Sequence, residues 1–193
     1  MIIGITGGTG CGKTTLLDLI RDRGGMVLDC DAIYHELLRT DVSLLQAIEY
    51  RFPGTVEAGQ LQRKKLGAIV FVDPEALQDL NRITHSAITA EVLRRLESKP
   101  KLAAIDAIAL FESGLNRLCD VTVAVTAPTE DRIKRLMARD GISEDYARNR
   151  IAAQPSNEDF SARCGYTLEN SGEFHVFQSN CLAFLREIGI MEL

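Results

Sequence analysis

Gly4-Ile-Thr-Gly-Gly-Thr-Gly-Cys-Gly-Lys-Thr-Thr15 decides the fold of this chain. Gly7, four residues, and then Gly12-Lys13-Thr14 fit the phosphate-loop pattern G-x-x-x-x-G-K-[ST]. A polyphosphate has to be wrapped by backbone N–H groups, so the loop must keep side chains out of the way. Gly7, Gly8, Gly10 and Gly12 admit backbone conformations with positive φ that other residues resist. Lys13 can set a cation on the β- and γ-phosphates, and Thr14 can offer its hydroxyl to Mg²⁺. The nucleotide-binding set expected here is Gly8, Gly10, Cys11, Gly12, Lys13, Thr14 and Thr15.

The flanks agree with the motif. Met1-Ile-Ile-Gly-Ile-Thr6 is a short apolar run of the kind that forms a buried parallel strand. Leu16, Leu17, Leu19 and Ile20 then share one side of a helix that starts near Lys13 and stops at Gly24-Gly25. The helix N-terminus adds its partial positive charge to the same anion site.

Working outward, four more segments read as parallel strands: Met26–Asp29, Leu102–Ala107, Val121–Val125 and Tyr166–Leu168. Helical patterns lie between them, which is the α/β signature. About 70 residues separate the second and third strands, far more than one crossover helix needs. That stretch, residues 32–98, is expected to be a helical insertion. Asp73-Pro74 should start a helix that reaches about Glu97. A second insertion, residues 132–163, carries Arg132, Arg135, Arg139, Arg148, Arg150 and Arg163. Gly141 should break it, and Ser143 should cap the helix after the break.

The 193 residues suit one compact domain with insertions. Hydrophobic residues make up 46% and charged residues 25%, which is ordinary for a globular protein. No apolar run reaches the ~18 residues needed to span a membrane. Met1 opens directly on the first strand, so no signal peptide is expected. Five scattered cysteines without C-x-x-C spacing fit reduced thiols in a cytoplasm rather than a disulfide or zinc framework. Cys11 reads as a small spacer whose pKa the local positive potential could lower. A net charge of −5 speaks against a general nucleic-acid binder.

Chemistry-bearing carboxylates fall at strand ends, where open parallel sheets bind ligands. Asp29 and Asp31 follow the second strand. Asp31 could take a proton from an acceptor hydroxyl or orient it; either residue could instead cap the next helix. Asp106 ends the third strand as a Walker B acid does, and with Thr14 it forms the expected metal set. Arg139 and Arg150 could neutralise charge on a transferring phosphoryl, or simply line a solvated helix face. His35 and His85 lack partners at metal spacing.

Taken together, these segments resemble the dephospho-coenzyme A kinases. The opening Ile3–Thr15 is similar to I-G-L-T-G-G-I-G-S-G-K-S-T, and Leu28-Asp-Cys-Asp31 is similar to the D-A-D element. Tyr34-His-Glu-Leu-Leu38, Leu80-Asn-Arg-Ile-Thr-His85 and Ile105-Asp-Ala-Ile-Ala-Leu-Phe-Glu-Ser-Gly-Leu115 match further family segments. So do Arg139-Asp-Gly, Arg150-Ile-Ala-Ala-Gln154 and Glu169-Asn-Ser-Gly172. Ile108 and Ser86 stand where proline is usual, Glu169 where aspartate or another polar residue is usual, and Pro155 should end the lid helix. The resemblance implies a three-layer P-loop kinase fold with a five-stranded parallel sheet, a helical substrate lobe (32–98) and a lid (132–163) within one domain, 1–193. It implies ATP with Mg²⁺, dephospho-coenzyme A as the small-molecule acceptor and its ribose 3′-hydroxyl as the nucleophile. Asp31 is then the candidate base, Lys13 and Arg139 join it as catalytic residues, and Arg150 and Asn170 join the nucleotide set.

Two other classes compete. A nucleoside or nucleoside monophosphate kinase would share the phosphate loop and the lid arginines. A GTPase switch would need an N-K-x-D guanine motif, which the chain lacks.

Overall fold

The computed structural model describes residues 1–190; the last three residues of the 1–193 expectation lie outside them. The chain opens with β1 (Ile2–Thr6), α1 (Lys13–Arg21) and β2 (Met26–Asp29). There follow α2 (Cys30–Thr40), α3 (Val42–Arg51), the short strands β3 (Val56–Glu57) and β4 (Gln60–Leu61), α4 (Arg63–Val70) and α5 (Pro74–Leu96). Next come β5 (Ala103–Asp106), a 3-10 turn at Leu115–Leu118, β6 (Val121–Thr126) and α6 (Thr129–Asp140). The chain continues through α7 (Glu144–Ala152), α8 (Asn157–Arg163), β7 (Tyr166–Glu169) and α9 (Phe174–Glu187).

The chain divides into two compact units, Asp29–Lys99 and the remainder. The larger unit is built on a five-stranded parallel sheet of order β2-β5-β1-β6-β7, so the α/β expectation holds. β1 is central. Ile5 lies opposite Asp106 of β5, and Thr6 lies opposite Ala124 of β6. The strand order reverses direction around β1, which is where open sheets of this kind bind ligands. Ile3 and Ile5 are fully buried, each worth roughly 1.5–3 kcal/mol on burial. They share one core with Leu16 and Ile20 of α1 and Phe177 and Phe184 of α9. The apolar stripe on α1 is thus the surface that closes this core. Ile133 and Leu136 of α6 form a smaller core with Ala147 and Ile151 of α7.

The smaller unit is helical apart from the β3–β4 hairpin. α2, α3 and α4 all pack against α5. Asp73 caps α5 by accepting hydrogen bonds from the backbone N–H groups of Glu75 and Ala76 at 2.9 and 3.1 Å, with Pro74 in the first turn. The hairpin has no counterpart in the sequence reading. Its turn, Ala58-Gly59, takes φ of 48° and 74°. That is the doubly left-handed geometry usually signalled by Asn-Gly, and two-residue strands carry almost no periodic pattern.

Candidate active site

The phosphate loop bends as its glycines require at three positions: φ is 136° at Gly7, 80° at Gly10 and 93° at Gly12. Gly8 differs from expectation, because its φ is not positive. It is glycine for want of space: a Cβ there would lie 2.2 Å from a guanidinium nitrogen of Arg132 and 3.1 Å from Oε1 of Gln154.

α1 begins at Lys13 with no side-chain cap and no acidic residue in its first turn. Asp29, Asp41, Asp73, Ser143 and Ser156 cap α2, α3, α5, α7 and α8 with side-chain oxygens, while α4, α6 and α9 also start without a side-chain cap. The first N–H groups of α1 therefore remain oriented for an anion, reinforced by the helix dipole. Lys13 Nζ donates to the Gly7 carbonyl at 2.9 Å and lies 3.8 Å from Asp106 Oδ1. The ammonium is thus folded across its own loop, and Asp106 sits at the end of β5 beside it. Thr14 and Asp106 offer hard oxygen donors. Among the described residues no cluster of three or more His, Cys, Asp or Glu could hold a metal. A site with one carboxylate and one hydroxyl suits Mg²⁺, which draws the rest of its shell from phosphates and water.

Side chains distant in sequence brace this loop from beneath. Arg132, at the start of α6, is 3% exposed. Its Nε donates to the Thr9 carbonyl at 2.9 Å and its Nη2 to Gln154 Oε1 at 3.2 Å. The same Gln154 oxygen accepts the Thr9 N–H at 2.8 Å. Arg135, one turn along, donates to the Gly10 carbonyl at 3.2 Å and to Asn170 Oδ1 at 3.3 Å. Asn170 Nδ2 donates to the Cys11 carbonyl at 2.9 Å, and the Asn170 backbone N–H pairs with Thr126 at 2.7 Å. Arg132, Arg135 and Gln154 stand outside the expected site set. Their only sequence signal was membership of an arginine-rich stretch and of the R-I-x-x-Q segment. Asn170, expected beside the nucleotide, has its side-chain amide engaged in holding the loop.

Cys11 corrects another expectation. It is buried in the main core, and burial pushes its thiol above the ordinary range despite the opposing charges of Arg132 and Lys13. It is a core side chain.

Arg139 and Arg150 share a carboxylate. Arg139 donates to Asp140 at 2.7 and 3.0 Å, and Arg150 donates to the same residue at 2.8 Å. Hydrogen bonds from Arg139 and then Arg150 hold the Asp140 carboxyl down at about 2. Gly141, with φ of 66°, ends α6 directly after it. The two guanidiniums are exposed and adjacent, as a phosphate clamp would require. α7 ends at Ala152, before Pro155.

In the smaller unit, Asp29 Oδ1 accepts the Ala32 N–H at 3.0 Å and is the cap of α2. Asp31 lies in the first turn, exposed, with no ion-pair partner among the described residues. Of the two carboxylates of the D-x-D element, only Asp29 caps the helix.

A family model described as CoaE, dephospho-CoA kinase, matches residues 1–175. The chain belongs to the dephospho-CoA kinase family. A dephospho-CoA kinase of Corynebacterium diphtheriae is 36% identical over 183 residues, covering 92% of each chain. Among solved structures, TT1252 from Thermus thermophilus aligns with a TM-score of 0.82 at 33% identity over 97% of both chains. The dephospho-CoA kinase of Campylobacter jejuni aligns with a TM-score of 0.68 at 27% identity, covering 97% of this chain and 96% of that one. This family member is accordingly a kinase with the P-loop fold, and its family catalyses the final step of coenzyme A synthesis.

Proposed function

We propose that this kinase transfers the γ-phosphoryl group of ATP to the ribose 3′-hydroxyl of dephospho-coenzyme A, giving coenzyme A and ADP. One observation carries the phosphoryl-transfer reading: the uncapped start of α1, fronted by Lys13 and by a glycine loop braced on buried Arg132. The acceptor is inferred from the family.

In this reading the loop N–H groups and Lys13 hold the β- and γ-phosphates, and Lys13 gains value as charge moves onto the transferring oxygens. Mg²⁺ would be held by Thr14 and Asp106, and when bound it supplies further charge neutralisation at the phosphates. Asp31 accepts the proton of the 3′-hydroxyl, or orients that group, as its oxygen attacks phosphorus. Arg139 and Arg150 turn from Asp140 to the phosphates once both substrates are bound, so residues 132–163 act as a lid and residues 29–99 as the acceptor lobe.

The free cysteines and the lack of any helix long and apolar enough to cross a membrane, both among the described residues, favour a cytoplasmic enzyme. The net charge of −5 speaks against general nucleic-acid binding.

A coupled assay with purified protein tests the reading. Dephospho-coenzyme A should support ATP consumption far better than AMP, CMP, UMP or uridine. Preference for a nucleoside monophosphate would remove the acceptor assignment and keep phosphoryl transfer. No ATP consumption with any acceptor would remove both.

A further inference from the structure

The six arginines of residues 132–163 divide into two kinds. Arg139 and Arg150 pair with Asp140, Arg148 with Glu130 and Glu144, and Arg163 with Glu112. All four are exposed, and each has its charge answered by a carboxylate. Arg132 and Arg135 pair with no carboxylate among the described residues. They lie three positions apart on one face of α6. Their partners are neutral oxygens: the carbonyls of Thr9, Gly10 and Asn170, and the side-chain oxygens of Gln154 and Asn170.

Arg132 is the extreme case, at 3% exposure. A guanidinium keeps its charge at any working pH. Burying it without a counter-charge costs stability, and carbonyl and amide dipoles orient the cation without cancelling it. Its field is felt inside the phosphate loop. Burial raises the Cys11 thiol, and the leading charge opposing that rise is Arg132, ahead of Lys13.

Gln154 holds this cation in place. Its Oε1 accepts the Thr9 N–H at 2.8 Å and Arg132 Nη2 at 3.2 Å, so one oxygen ties the loop to the guanidinium. A glutamate at this position would offer the same acceptor to the same two donors. It would also bring a negative charge and neutralise Arg132. The amide supplies the geometry and leaves the positive charge standing.

We infer that Arg132 is a remote charge that attracts the nucleotide's polyphosphate through the loop, and that Gln154 is the positioning residue that fixes it without neutralising it. The counter-charge missing from the protein is then the ligand's own. In surroundings of low dielectric such a charge acts over several ångströms without contact. The inference deepens the reading of this loop as the ATP site and rests on it.

Calorimetric binding of ATP, without acceptor, and thermal melts test it on the wild type, Gln154→Glu and Gln154→Met. Gln154→Glu keeps both hydrogen bonds and cancels the charge. Its melting temperature should be at or above the wild-type value, while its Kd for ATP rises about tenfold. Gln154→Met loses both bonds and leaves the charge. It should melt lower, with a smaller rise in Kd. A purely structural role could not move stability and affinity in opposite directions in Gln154→Glu. Wild-type ATP affinity in Gln154→Glu would overturn the inference, because the phosphates would then not feel Arg132. Equal weakening in both variants, or a lower melting temperature in Gln154→Glu, would overturn it in favour of loop bracing alone. Failure of the wild type itself to bind ATP would overturn the ATP site and the inference together.

Discussion

Arg132 donates from Nε to the carbonyl of Thr9 at 2.9 Å, although the two residues are 123 positions apart and the guanidinium is almost wholly buried. A phosphate-binding loop is thereby anchored through a cation that faces its underside. Removing that cation leaves the Thr9 carbonyl without its partner in a buried setting. Arg132→Ala should cost about 1–3 kcal/mol of stability and raise KM for ATP, because the loop N–H groups lose their alignment. Denaturant titration and ATP kinetics on the same variant measure both. An unchanged loop affinity would show that the glycines alone hold the shape.

Lys13 faces a carbonyl and a carboxylate across the loop, outside the apolar core. Lys13→Ala should therefore keep its fold and lose turnover by about 10²–10³. Circular dichroism with single-turnover rates is the check. Near-normal turnover would disprove the site.

Asp29 and Asp31 make a paired test. Asp29→Ala removes the cap of α2 and should lower stability by about 1 kcal/mol. Asp31→Asn should leave the melting curve in place and lower kcat by about 10²–10⁴. Thermal melts compared with kcat for the two variants separate cap from base. A normal kcat in Asp31→Asn takes that residue out of the mechanism.

Arg139 and Arg150 meet on Asp140. If both swing to phosphate on closure, Arg139→Ala or Arg150→Ala should lower kcat by more than either weakens ATP binding. Equilibrium binding of a non-hydrolysable ATP analogue, set against kcat, decides this. Equal losses in binding and kcat would place these arginines in ground-state binding.

Glu91 gives a pH signature. Hydrogen bonds from Arg94 and then Arg95 hold its carboxyl at about 2, against an ordinary value of 4.5. A depressed carboxylate contributes stability that is fully present above 4.5 and is lost as the pH falls towards 2. Melting temperature should thus fall more steeply across that window in the wild type than in Glu91→Gln. Parallel acid limbs would count against the pairing in solution.

The sequence by itself determined the parallel sheet, the loop and the starts of α1, α2, α5 and α7, because these depend on local rules. Alternating or continuous apolar runs mark strands. Gly7, Gly12 and Lys13 mark the loop, and Asp73-Pro74 and Ser143 mark helix starts. All are legible within a few residues of themselves. The tertiary structure decided which polar groups meet. Arg132, Gln154 and Asn170 come to the loop from positions 123, 145 and 159 residues away from their partners in it. No periodicity encodes such pairings. They arise because a buried carbonyl or N–H must find a partner once helices and sheet have packed. The same packing made Cys11 a core thiol, since desolvation there outweighs the nearby charges. It also divided the D-x-D element: Asp29 turned back onto the helix it starts, and Asp31 was left exposed at the first turn of α2. Sequence could name both carboxylates, but only the direction of its side chain made Asp29 the cap.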